Sequence, residues 1–299
     1  MDRRRLGRTG HRSSVAILGG AACWAATPDE AGAWFHAARD RGVNHLDIAP
    51  QYGQAEAVVG PHLAACRAEM FVAGKTLRAN PDGVQDQFDS TRRLLHAEVL
   101  DLYQAHAVTT LEELDRRSGA LEQILQLRER GQTRFAGITG HDLDVPVVFL
   151  EALRRFDLDT VMFPIYPALW RLPDYREPAE ELLALCRERD IGVMAIKAVA
   201  HRPWADRRPM ADVAREDPTT SGRWATSWYE PAASDEDIDR GVRFALDTPG
   251  VHGFCTPGDI GLLPRVLDAA ERASPLSVAE RQEAIDAMAS TELIFPMPH

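Results

Sequence analysis

Four side chains of the kinds that move protons lie at or just after the ends of short apolar runs in the N-terminal part of the sequence. Asp47 and Tyr52 fall in NHLDIAPQYGQAE (44–56), Lys75 in MFVAGKT (70–76) and His106 in VLDLYQAHA (99–107). Asp47 is flanked by Leu46 and Ile48, and a carboxylate in such a setting is costly unless it is paired or hydrogen-bonded. A carboxylate, a phenol, an amine and an imidazole brought to one place could carry out general acid–base chemistry. Each alone has a plainer explanation, as a solvated, structural or packing residue. Their joint occurrence on successive runs is what points to a site. With His141 added, Asp47 and His106 could instead be read as metal ligands, but no HxH pattern or clustered carboxylates accompany them.

Positioning these residues requires a scaffold with all the run ends on one face. Eight β-branched, apolar runs alternate with segments of helical period: 15–20, 44–49, 70–76, 99–107, 134–140, 160–166, 192–200 and 251–258. Helix starts are marked by a capping residue followed by acids, at Thr27-Pro28-Asp29-Glu30, Thr110-Leu111-Glu112-Glu113 and Ser234-Asp235-Glu236-Asp237. Eight βα units in 299 residues predict an α/β fold, a single (β/α)8 TIM barrel spanning 1–299, with its site at the C-terminal ends of the strands. A doubly wound open sheet is the competing architecture, and Gly19-Gly20-Ala21-Ala22 lacks the GxGxxG spacing it would need. The opening RRRLGRTGHRSS predicts a short hairpin turning at Arg8-Thr9-Gly10 and plugging the other end of the barrel. Residues 201–231 are too long for a routine connection. A loop after the seventh strand emerges on the catalytic face, and this one carries Trp204, Trp224, Trp228 and Tyr229, which suits a lid over the pocket.

The LGRTG hairpin, GVNHLDIAPQYGQAE, FVAGKT, DLYQAHAV and RFAGITGHD, in that order, resemble the successive motifs of the aldo-keto reductase family. The resemblance implies an NAD(P)H-dependent reduction of aldehydes or ketones, with Asp47, Tyr52, Lys75 and His106 as the catalytic tetrad. Tyr52 would then be the proton donor, with Lys75 shifting its phenol toward ionisation, Asp47 holding Lys75, and His106 orienting the carbonyl. Along the cofactor the resemblance places Gly20, Thr139, Gly140 and His141, and further on Lys197, Gly258, Asp259 and Arg265. Trp24 and Trp228 would flank the substrate. NADP(H) is the family expectation, with NAD(H) as the alternative. The chain departs from the pattern in three places. Thr139-Gly140-His141 and Met162-Phe163 stand where carboxamide ligands are usual, and Ile196-Lys197 replaces a stacking aromatic. Asp259 follows Gly258 where basic and hydroxyl residues are customary, leaving Arg265 as the nearest cation. His141 and Lys197 could be substitute donors to the cofactor or simply rim residues. These departures keep a second reading open, that of a nucleotide-binding regulatory subunit of the same fold.

Composition bounds the partners. A hydrophobic share of 45%, a charged share of 26% and no bilayer-length apolar run argue against a membrane protein. The net charge of −11 would repel a phosphate backbone, which argues against nucleic acid as a partner. Cys23, Cys66, Cys186 and Cys255 form neither a metal motif nor a disulfide framework, as expected of a reducing cytoplasm. The basic-then-apolar start imitates an export signal, but Gly19-Gly20 cuts it and a helix start follows, so it reads better as a first strand. Oligomeric state and the identity of the carbonyl substrate are left open.

Overall fold

A computed structural model of the chain describes residues 1–205 and 227–295. A two-stranded antiparallel hairpin comes first, β1 (Arg3–Arg5) and β2 (Arg12–Ser14), followed by β3 (Ala16–Gly19), β4 (His45–Asp47), β5 (Phe71–Thr76) and β6 (Leu100–Ala105). Next are β7 (Thr133–Thr139), β8 (Thr160–Pro164), β9 (Gly192–Ile196), a second small hairpin of β10 (Ala200–Arg202) with β11 (Glu230–Pro231), and β12 (Gly253–Cys255). Eight of these close into a barrel in the order β12-β3-β4-β5-β6-β7-β8-β9, every pairing parallel. The architecture is the (β/α)8 barrel expected from the alternating pattern.

The helices that wrap it start where the sequence marks them. Thr27 accepts a hydrogen bond from the Glu30 amide while the Glu30 carboxylate accepts from the Thr27 amide at 2.8 Å, a reciprocal cap for Pro28–Asp40. Thr110 and Ser234 cap Leu111–Arg116 and Asp235–Asp247 in the same way from one side. None of the described helices is long and apolar enough to cross a membrane.

Alternation along the strands explains why the polar residues end up together. In β5, Phe71, Ala73 and Lys75 point into the barrel while Val72 packs against the helices. Period two likewise turns His45 and Asp47 of β4 inward, and Leu102 and Gln104 of β6. The lower interior is apolar: Ile17, Phe71, Ala73, Leu102, Met162 and Met194 form one buried cluster closed from below by Leu6 of the N-terminal hairpin. His11 from that hairpin stacks on Phe71, with ring centroids 4.5 Å apart. One step further up, the inward positions turn polar.

The seventh predicted run extends past its strand. Residues 192–200 were expected as one strand, but β9 stops at Ile196 because Lys197 takes a left-handed φ of +65°, and the chain leaves the barrel through Ala198 and Val199 to β10. Pairing of β10 with β11 makes residues 201–231 a long excursion whose base is a hairpin, and the Trp204 indole donates to the Ser227 carbonyl at 2.8 Å across it. The expected lid, including Trp224, falls mostly on 206–226, outside the described residues.

Candidate active site

At the upper end of the barrel, Lys75 reaches from β5 to donate to the Asp47 carboxylate on the neighbouring strand β4 and to the Tyr52 hydroxyl at 3.2 Å. The Lys75 side chain is fully buried and that of Asp47 is 3% exposed. Gln104, paired with Lys75 in the β5–β6 register, donates from Nε2 to the other Asp47 oxygen at 3.2 Å. The Cys255 thiol lies 3.6 Å from the same carboxylate that holds Lys75. The buried Asp47 therefore has the partners its surroundings demand.

Tyr52 is set by the loop after β4. Gly53 follows it with φ +56°, and a Cβ there would stand 2.3 Å from the Trp24 carbonyl oxygen, so only glycine lets the chain turn this close behind Tyr52. His106 follows β6, and its ring meets Tyr52 edge-on at 5.8 Å and the His141 ring at 5.5 Å. Its Nδ1 lies 3.2 Å from the Gln51 side-chain oxygen. All four residues of the expected tetrad thus converge on one buried spot.

The electrostatics differ from the sequence expectation at Tyr52. Burial pushes its phenol up to about 12, and although the Lys75 ammonium pulls the other way, Asp47 partly offsets that pull. Lys75 acts on Tyr52 in the expected direction, toward ionisation, but desolvation outweighs the cation, and the phenol keeps its proton. Burial alone would lower Lys75, yet the Asp47 carboxylate that faces and hydrogen-bonds it holds it above the usual ammonium range. Burial, reinforced by the Lys75 charge and by each other's neighbours, drives His106 and His141 well below the ordinary imidazole value, so both are neutral near pH 7.

Two spaces open from Tyr52. A pocket of about 440 Å³ is lined by Trp24, Gln51, His106, Glu113, Lys197 and Trp228 among others. A narrower cavity of about 60 Å³ runs between Gly19, Met162, Ile196, Tyr229, Thr256 and Gly258, with Tyr52, Lys75 and Lys197 along it. Trp228 lies over both, edge-on to Tyr52 at 5.9 Å and to Trp24 at 6.4 Å. His141, Lys197 and Gly258 from the expected cofactor set reach the narrow cavity, and Trp24 and Trp228 from the expected substrate set reach the wide pocket.

The remaining residues named from sequence do other things. A Cβ on Gly20 would strike Ile48 at 2.7 Å and one on Gly140 would strike Val145 and the Val108 carbonyl at 2.7 Å, so both are close-packing positions. Thr139 is buried and accepts a hydrogen bond from the Ala107 amide at 3.2 Å. Asp259 accepts from the Gly261 amide at 2.7 Å and caps the turn Ile260–Leu262. Arg265 pairs with Asp235 at 2.6 Å and donates to the Ala233 carbonyl at 2.8 Å.

Arg117 is the residue that sequence reasoning missed. It lies in DRRSGA, which reads as a solvated helix junction, yet its side chain is fully buried. Its guanidinium donates to the His106 carbonyl and, at 2.6 Å, to the Thr76 carbonyl, tying together the ends of β5 and β6 that carry Lys75 and His106. Gln104 was likewise invisible as a ligand of Asp47, although period-two spacing from His106 could have found it.

The chain spans about half the length of the curated relatives it matches. It is 27% identical over 185 residues to L-galactose dehydrogenase of Arabidopsis thaliana, covering 54% of this chain and 56% of that protein. An uncharacterised oxidoreductase of Bacillus subtilis is 27% identical over 173 residues, 53% of this chain and 52% of the relative. In fold, the structure superposes on the holo form of an aldo-keto reductase of Bacillus halodurans with a TM-score of 0.72 at 20% identity, covering 98% of each chain. Residues 16–232 match the sequence profile of the Aldo/keto reductase family, a span that contains the Asp47–Tyr52–Lys75–His106 cluster and seven of the eight barrel strands. The chain belongs to the aldo/keto reductase family.

Proposed function

We propose that this protein is a nicotinamide-dependent oxidoreductase that reduces aldehydes or ketones, with Tyr52 as the proton donor. The observation that carries the reading is the buried Asp47–Lys75–Tyr52 chain of hydrogen bonds opening, beside His106, into a pocket of about 440 Å³. That size is within the range of small-molecule sites.

The donor set fits carbonyl reduction. A carbonyl oxygen seated against Tyr52 and neutral His106 would meet two hydrogen-bond donors with the His106 proton on Nε2, the tautomer in which Nδ1 accepts from the Gln51 side-chain amide across the 3.2 Å contact, its amide turned over. As negative charge grows on that oxygen, Tyr52 gives up its proton and the Lys75 ammonium, 3.2 Å away, balances the phenolate left behind. Asp47 keeps Lys75 in place throughout.

A reduced nicotinamide would supply the hydride. The residues placed to hold it are Gly19 and Gly258 along the narrow cavity, with His141 and Lys197 beside Tyr52. At about 60 Å³ that cavity is small, so Trp228 and Tyr229 must swing away from Lys197 and Tyr52 for a dinucleotide to enter. Next in the chain after Gly258, which lines the cavity, the carboxylate of Asp259 already takes the Gly261 amide, and Arg265 is committed to Asp235. A carboxylate there opposes a 2′-phosphate, which favours NAD(H) over the family expectation of NADP(H).

Steady-state oxidation of NADH and NADPH with 4-nitrobenzaldehyde tests the reading. Tyr52→Phe is expected to lower kcat by about 10²–10⁴-fold, the usual contribution of a general acid, with the dinucleotide Kd nearly unchanged. Tight dinucleotide binding without turnover in the wild type would transfer the case to the regulatory-subunit reading.

A further inference from the structure

The sequence contains only two lysines, Lys75 and Lys197, while its other basic side chains, histidine aside, are all arginines. Both lysines are buried at the mouth of the barrel, and their surroundings are opposite in kind. Lys75 is locked to Asp47 and Tyr52. Lys197 has no hydrogen bond or ion pair among the described residues; its Nζ faces the rings of Tyr229 at 5.2 Å, Phe295 at 5.8 Å and Trp228 at 6.0 Å. These distances lie near the outer limit of cation–π attraction.

Its backbone is equally unusual. Lys197 stands immediately after β9 with φ +65°, a left-handed conformation that costs a residue with a Cβ about 1–2 kcal/mol. The strained turn places the side chain at the junction of the two cavities, in the same pocket as Tyr52, His106 and His141. Strain of this kind, held by the surrounding fold, is found where a side chain must be aimed.

We propose that Lys197 is a nucleophilic amine that forms an imine with the carbonyl carbon of small aldehydes and ketones bound beside Tyr52 and His106. The amine nitrogen attacks the carbonyl carbon, the N–C bond forms and the carbonyl oxygen takes up a proton. The C–O bond then breaks, the oxygen leaves as water carrying the two protons that the amine has lost, and a neutral C=N bond remains. No oxidant or reductant enters this step. Burial lowers Lys197 to about 7, with Asp142 across the pocket pulling weakly in the other direction, so a large share of the amine is unprotonated near neutral pH. Lys75 cannot compete, because Asp47 keeps it cationic. Imine formation is a chemistry separate from hydride transfer and needs no nicotinamide.

Reductive trapping tests it on the intact chain. Wild-type protein is incubated with benzaldehyde and sodium cyanoborohydride at pH 7 without nicotinamide, then digested with trypsin, which cuts neither at an alkylated lysine nor between Arg202 and Pro203 and so releases the labelled segment as residues 190–207, with Lys197 as its only side-chain amine. The expected result is benzylation at Lys197, at least about tenfold faster than on free Nα-acetyl-lysine amide, since an ordinary lysine is only about 0.04% unprotonated at that pH. Lys197→Met and Lys197→Arg should abolish the adduct and leave Lys75 unlabelled. Labelling of Lys197 no faster than the free amine, or an adduct confined to Lys75 or the N-terminus, overturns the proposal, and wild-type mapping decides this even if a variant does not fold. Labelling without dinucleotide turnover would sink the reductase reading and keep this one; turnover without labelling would do the reverse.

Discussion

Removing the charge of Asp47 while keeping its shape is the most direct probe of the site. In Asp47→Asn the Lys75 ammonium, fully buried in the wild type, loses its only ion-pair partner among the described residues. Breaking a buried pair from one side costs about 3–5 kcal/mol, because an uncompensated charge remains. With an unfolding entropy of about 2.1 cal/mol/K per residue, a chain of this length loses about 5–8 °C in Tm. The double variant Asp47→Asn/Lys75→Met removes both charges, so it should recover most of that loss. The pH dependence follows from the direction of the Lys75 shift. In the wild type its folded value is raised, so its contribution to stability is complete below the unfolded value of about 10.4 and is lost only as pH rises through the folded value. In Asp47→Asn burial is left to lower the folded value, the unfolded chain binds more protons in the window below 10.4, and stability of the variant rises with pH there. The gap between wild type and variant should therefore narrow between pH 7 and pH 10 in thermal unfolding followed by circular dichroism. A single variant melting within about 2 °C of wild type at pH 7, or a double variant melting as low as the single one, would refute the reasoning.

Two further changes test the supports of the site. Arg117→Met leaves the buried His106 carbonyl without its side-chain donor and the Thr76 carbonyl with only the His106 amide, and at about 1–3 kcal/mol for an unsatisfied group it should lower stability measurably in chemical denaturation and reduce kcat through misplacement of His106. Unchanged stability would show that the guanidinium is dispensable. Asp259→Asn removes the carboxylate that follows Gly258 while keeping an acceptor for the Gly261 amide, and it should raise the relative affinity for NADPH over NADH in fluorescence titrations. A ratio that does not move would place the 2′-phosphate elsewhere.

The barrel and its tetrad were legible because both rest on local rules. Alternation in FVAGKT and LDLYQAH decides which side chains point inward, and the eight repeats decide that all run ends share one face. The cofactor contacts were less legible, since they depend on which loop reaches across the barrel mouth. Gly20 and Gly140 resemble cradle glycines in sequence, yet what fills the space beside them is Ile48 and Val145, brought there by packing between elements distant in the chain or in the next helix. Arg117 escaped for the same reason: nothing in DRRSGA distinguishes a buried guanidinium from its two solvated neighbours until β5 and β6 present their carbonyls to it.

Tyr52 shows how a correct pairing can carry the wrong balance. The sequence identifies Lys75 as its cation, and attraction between unit charges 3.2 Å apart at an effective dielectric of about 20 is on the order of 5 kcal/mol. Burial and Asp47 outweigh that attraction: the net rise to about 12 makes the phenolate on the order of 3 kcal/mol costlier than in water. A phenol held up at about 12 keeps its proton across the neutral range but is a weaker donor at rest, so the transfer depends on stabilising the phenolate as it forms. Lys75 then limits the cost of the phenolate at the moment of transfer, and the residues packed around Tyr52 at the barrel mouth, Trp228 and His106 among them, keep water from doing so.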